Sequence, residues 1–145
     1  MTGFLKEAKD AIALEIERFR NRQFLEAAMA ASALVVTADG VVQLSELNTL
    51  DEVLETVREL KIFDPHVAVD IYRDHVTNLH DQPVVARERA YKAIRRIADE
   101  PGAARILLKV CLAIGKSDDD FSAPERIVVS EICDALGLPR SEAGL

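Results

Sequence analysis

Two short acidic patterns carry the residues most suited to chemistry. Asp39 stands seven residues before Glu46, and seventy-nine residues further on Asp118 stands seven before Glu125, with Asp119 and Asp120 directly behind it. An apolar residue follows each leading Asp by three (Val42 and Phe121). Carboxylates and turn carbonyls are hard oxygen donors suited to Ca²⁺, Mg²⁺ or Mn²⁺. The Asp-to-Glu spacing is shorter than in an EF-hand, and the first loop lacks the intervening Asp/Asn ligands. One such loop is a poor cage. Two facing loops would bring together four to six carboxylates from Asp39, Glu46, Asp118, Asp119, Asp120 and Glu125. A second reading needs no ion. Ser122-Ala123-Pro124-Glu125 has the form of a capping box, Glu46 stands in the same relation to Gln43, and Asp39-Gly40 is a common turn pair. Acidic residues at a helix start are favoured by the dipole by about 0.3–1 kcal/mol each. The two readings are compatible, and both stay open at this level.

The elements around the loops are helical. Leu5, Ala8, Ile12, Ile16 and Phe19 form an apolar stripe over 4–20. Arg18, Arg20 and Arg22 around Asn21 read as a polar break before a second helix over 23–37, which is apolar almost all round and therefore central. A third helix is expected over 44–60. Asp64-Pro65 opens a fourth that runs to about Leu79, with Asp64 as N-cap and Pro65 as its first residue. The fifth is expected over 82–99, the sixth over 103–116 after Pro101-Gly102, and the seventh over 123–136, stopped by Gly137-Leu138-Pro139. Residues 29–58 align without gaps on 108–137, pairing Met29 with Leu108, Val35 with Ile114, Leu50 with Val129 and Val53 with Ile132. The expected fold is all-α: a seven-helix single-domain bundle over 1–145, with two pseudo-symmetric helical hairpins whose acidic loops lie at one end.

Composition narrows the function classes. The 145 residues are 49% hydrophobic, enough for a core, and strand-like alternation is nearly absent. Eighteen basic against 25 acidic side chains give a net charge of −7, which disfavours nucleic acid and small oxyanions. Cys111 and Cys133 sit in apolar helical runs and read as buried packing residues of a reducing compartment. No stretch has 18 consecutive apolar residues, and the start, Met1 to Glu7, has no signal-peptide core, so the expected location is cytoplasmic.

At this point the chain resembles the TerB-like tellurite-resistance family. The resemblance covers nearly the whole length and is carried by Gly3-Phe4-Leu5-Lys6, Arg20-Asn21-Arg22-Gln23-Phe24 and Thr37-Ala38-Asp39-Gly40-Val41. It continues through Glu59-Leu60-Lys61-Ile62-Phe63-Asp64, Lys116-Ser117-Asp118-Asp119, Phe121 to Glu125, and Gly137-Leu138 to Gly144-Leu145. The resemblance implies a seven-helical, soluble, non-enzymatic stress-response protein. It implies metal binding through Asp39, Glu46, Asp118 and Glu125. It also implies action beside other tellurite-resistance proteins: calcium-binding TerD-type proteins and a membrane-embedded TerC-type partner at the inner membrane face. The family's second loop usually reads Asp-Gly, whereas this chain has Asp118-Asp119-Asp120. The added carboxylates favour a cation but remove a glycine that permits positive φ. A related domain occurs in a J-domain co-chaperone, and no His-Pro-Asp tripeptide supports that role here.

Other polar sets have plainer readings. His66, Asp70 and Asp74, with His75 beside them, share helical spacing and read as a solvated face rather than a transition-metal site. Arg89, Lys92 and Arg96 form a basic stripe on an acidic protein, either a solvated face or a dock for an acidic partner or anionic lipid. No nucleophile-base pair and no phosphate loop is present, and no organic cofactor is expected. Three functions follow: a cation-responsive adaptor, an ion-free interaction domain, and, weakest, a two-metal hydrolase without a visible general base.

Overall fold

The computed structural model describes Glu7 and residues 21–38, 40, 65–116 and 121–145, and among them all regular structure is helical. Residues 21–36 form helix α1. It is followed by α2 (Pro65–Asp81), α3 (Pro83–Arg95), α4 (Pro101–Gly115), α5 (Ala123–Leu136) and a 3-10 turn, Arg140–Ala143. Apart from Glu7, the helices expected over 4–20 and 44–60 lie outside the described residues. So do Asp39, Glu46, Asp64, Asp118, Asp119 and Asp120.

Helix α1 is the centre, as its composition requires. Every residue from Phe24 to Val36 is buried except Glu26. Ser32 pays no desolvation penalty, because its hydroxyl donates to the Ala28 carbonyl at 2.7 Å. The many alanines leave little side-chain bulk on the axis, so neighbouring helices can approach closely. Leu107, Leu108, Cys111 and Ile114 of α4 and Val129, Ile132 and Leu136 of α5 belong to the same buried cluster. Helix α5 packs on both α3 and α4, and α2 packs on α3.

Prolines set most helix starts. Pro65, Pro83 and Pro101 are the first residues of their helices, and Pro124 is the second of α5. There the missing N–H is no loss and the fixed φ suits the first turn. Gly137 ends α5 in the left-handed conformation (φ +70), and Leu138 N–H returns to the Cys133 carbonyl at 2.9 Å.

Several boundaries differ from those expected. Asn21 and Arg22 are already helical, so no break separates them from the central helix. Charged side chains on an exposed turn do not interrupt backbone hydrogen bonding. Helix α2 extends to Asp81, leaving Gln82 alone between it and α3, with Gln82 N–H on the Asn78 carbonyl at 2.7 Å. Helix α3 ends at Arg95 and loosens into turns whose bonds run from Ala98 to Arg95 and from Glu100 to Ile97. Helix α4 starts at Pro101, not after Gly102. The 3-10 turn had no sequence expectation. It is held by Arg140, which donates to both carboxylate oxygens of Asp134 (3.2 and 2.7 Å), and by Arg105 to Glu142 at 3.3 Å. The Arg140 guanidinium holds the Asp134 carboxyl below its usual range.

The filled core around α1 and the open first turn of α4 predict opposite responses to added carbon atoms. Ala31→Leu places a larger side chain at a fully buried position and should lower unfolding free energy by about 1–3 kcal/mol in urea. Gly102→Ala, with open space around its Cβ in the first turn of α4, should raise it by about 0.5–1 kcal/mol.

Candidate functional site

The two acidic segments follow helices that end in register. Helix α1 ends at Val36 and α4 at Gly115, each three residues before the leading Asp of its loop. After Val36 the chain turns through Thr37, whose hydroxyl donates to the Ala33 carbonyl at 2.7 Å, to Gly40 in the left-handed conformation (φ +79). The turn reading of Asp39-Gly40 is met at Gly40.

The exit of the second segment is a capping box. Ser122 Oγ accepts from Glu125 N–H at 3.3 Å, and Glu125 Oε1 accepts from Ser122 N–H at 3.4 Å and from its hydroxyl at 2.8 Å. Glu125 is only 2% exposed, unusual for a capping carboxylate. Its Oε2 lies 3.6 Å from where a Cβ on Gly115 would stand. The same hypothetical Cβ would fall 2.6 Å from the Phe121 ring, so Gly115 is required by space, not by φ. Two cations lie near the Phe121 ring, Lys116 Nζ at 5.9 Å and the Arg126 guanidinium at 5.7 Å from its centre, and Arg126 Nε donates to the Phe121 carbonyl at 3.0 Å. The loop exit is thus fixed by a cap, an aromatic ring and two cations.

Of the six carboxylates expected to meet a cation, only Glu125 belongs to the described residues, and it already serves the cap. Among the described residues no group of three or more His, Cys, Asp or Glu is placed to hold a metal. The donor chemistry of Glu125, a carboxylate, fits a hard divalent ion. His66, Asp70 and Asp74 are exposed as expected, but His75 is not solvated: it is 6% exposed, with Nε2 3.3 Å from Glu26 Oε1 of α1. Burial of the neighbouring Tyr72 and Leu79 brings that face of α2 inward. Both cysteines are free, buried thiols, as their apolar runs implied, and burial pushes Cys111 up to about 12.

The structure does assemble the basic stripe. Arg89, Lys92 and Arg96 are all exposed and line one groove of about 470 Å³, with Glu26 of α1 on its other side. Arg87 of the same helix lies outside this row: its Nη2 donates to Glu131 Oε2 at 2.9 Å, where Tyr91 OH also donates at 2.7 Å. Burial and that carboxylate raise the Tyr91 phenol well above its ordinary value. This α3–α5 tie was missed because neither Tyr91 nor Glu131 is set apart in sequence.

The family described as "Tellurite resistance protein TerB" matches residues 25–144. The chain belongs to the TerB family. A relative named "Tellurium resistance protein TerB", from Alcaligenes sp, is 24% identical over 108 residues, covering 74% of this chain and 88% of that protein. No solved structure matches the chain. The TerB match spans both acidic segments and the basic groove. Among the described residues, no helix is long and apolar enough to cross a membrane.

Gly115→Ala should destabilise this TerB-family chain by about 1–3 kcal/mol through overpacking against Phe121. In a Phe121→Ala background the same change should cost far less. A double-mutant cycle by chemical denaturation measures the difference, and additivity of the two changes would show that the ring moves aside freely.

Proposed function

We propose that this TerB-family chain is a non-enzymatic, cytoplasmic tellurite-resistance protein that takes up a divalent cation between its two acidic loops and acts as an adaptor. The observation that carries the reading is the pairing of the loops: the same Asp-to-Glu spacing, entered from two helices that end at equivalent positions, Val36 and Gly115. Asp39, Glu46, Asp118, Asp119, Asp120 and Glu125 would supply the oxygen donors. The ion would screen carboxylates that otherwise repel one another, above all in the Asp118-Asp119-Asp120 run. By joining the two loops it would fix the pose of one helical hairpin against the other. On this reading the full chain is a single domain of seven helices, its hairpins related by a pseudo-twofold axis. The partners would be other tellurite-resistance proteins, among them a TerC-type membrane protein, and tellurite itself would not be a ligand of such anionic loops.

A second reading is supported by the capping box at Ser122 and Glu125. On it, the acidic residues are helix caps and surface charge, and the chain is a metal-independent interaction domain.

Titration of the chelator-treated protein separates the two. Under the cation reading, millimolar Ca²⁺, Mg²⁺ or Mn²⁺ raises the melting temperature and shifts amide resonances in 38–46 and 117–125 together. A hundredfold excess over Kd corresponds to about 2.7 kcal/mol of added stability. Asp39→Asn with Asp118→Asn should abolish the response. A spectrum and melting curve unmoved by all three ions would leave the capping reading.

A further inference from the structure

The groove bordered by Glu26 of α1 and by α3 lies apart from the acidic loops in sequence, and it has the features of a peptide site. Arg89, Lys92 and Arg96 recur at helical spacings of three and four, a row about 10 Å long on one face of α3 and its C-cap residue Arg96. Among the described residues, Arg87, Arg105 and Arg140 each hold a carboxylate, whereas none of the three groove cations is ion-paired. The row is continued toward the helix start by apolar surface: Val85 is 53% exposed and Val84 73%. Ala93 lines the groove with the cations, and a buried small residue there leaves room between the longer side chains.

We propose that this groove docks an acidic segment of a partner protein, two or three of its carboxylates meeting Arg89, Lys92 and Arg96 and an aliphatic side chain covering Val85. Charge complementarity selects an anion, since guanidinium groups bind carboxylates in a bidentate fork. The remaining lining residues select its kind. Glu26 and Glu88 also border the groove, and the whole chain carries −7. A uniformly anionic surface, such as a bilayer or a nucleic-acid backbone, would press charge against both glutamates. A peptide can place carboxylates on the cations and neutral or basic groups beside Glu26 and Glu88. The concavity favours the same occupant, because a chain enters a groove and a planar membrane does not. Glu26 is half-buried and lies 3.3 Å from the buried His75 of α2, so the groove wall is tied to a second helix. This inference rests on the adaptor part of the proposed function and is independent of the cation.

The test is selection of random displayed peptides on the intact chain, in chelator and again with millimolar Ca²⁺, followed by fluorescence polarisation with the selected peptides. The expected result is enrichment of peptides carrying two or three Asp or Glu and one aliphatic residue. Binding should persist in chelator and weaken at least tenfold in an R89Q/K92Q/R96Q variant whose melting temperature is unchanged. The substitutions are all exposed, so folding should survive them, and R89K/R96K should retain more binding than the Gln variants. V85S should weaken binding without altering its salt dependence. Selected peptides with no acidic bias, or acidic peptides that bind the triple variant equally, overturn the proposal. Sedimentation with phosphatidylglycerol vesicles that is lost in the triple variant would overturn it in favour of a lipid surface. Self-association lost in the triple variant would overturn it in favour of a second copy. A cation response that fails while groove binding persists removes the loop site and leaves this one.

Discussion

The structure depends on the burial of one helix on all sides. Beyond its polar first turn, helix α1 presents no polar side chain to solvent apart from Glu26, so from Phe24 onward it cannot rest on a surface and must be enclosed by its neighbours. Fully burying a side chain the size of Leu25 or Met29 is worth roughly 1.5–3 kcal/mol, and such residues recur along the helix. Its alanines let α4 and α5 contribute the larger side chains to the shared core. The single gap in that apolar surface is also where polar chemistry enters, since Glu26 meets His75 on one side and borders the basic groove on the other.

Two surfaces with different physical characters result. Around the start of α5 the contacts are specific: a spatially required glycine in α4, an aromatic ring with two cations near it and a reciprocal cap. A rigid exit is what a loop needs if its carboxylates are to converge, and equally what a well-capped helix needs in the absence of any ion. Along α3 the chain instead exposes long, flexible cations beside two valines. The first surface suits geometric definition, and the second suits adaptable contact with another chain.

Much of this was legible in the residues. Proline positions and apolar period located α2, α3, α4 and α5 to within a few residues, because a proline at a helix start and a glycine at its end act through local sterics. The Ser122–Glu125 box was readable for the same reason. The central place of α1 followed from composition alone. What could not be read was long-range. His75 looks like its exposed neighbours His66 and Asp74 until α1 supplies Glu26, forty-nine residues away. Tyr91 and Glu131 meet only because α3 and α5 pack. The groove is likewise tertiary: its cations were visible as a stripe, but the opposing wall was not. Of the six carboxylates expected from the sequence to meet a cation, only Glu125 lies among the described residues, and there it serves as a helix cap.

The two thiols bear on how long a molecule of this kind lasts. Cys111 and Cys133 are buried in the core, and burial raises both thiols above their ordinary range, which disfavours the reactive thiolate. That placement keeps both thiols away from reagents dissolved in the surrounding solvent. An oxidant that works through thiolates can act only on molecules that open. Chemical survival then becomes a matter of unfolding rate, and the enclosed helix α1, which cannot be uncovered without dismantling its surroundings, acts as a clock on damage.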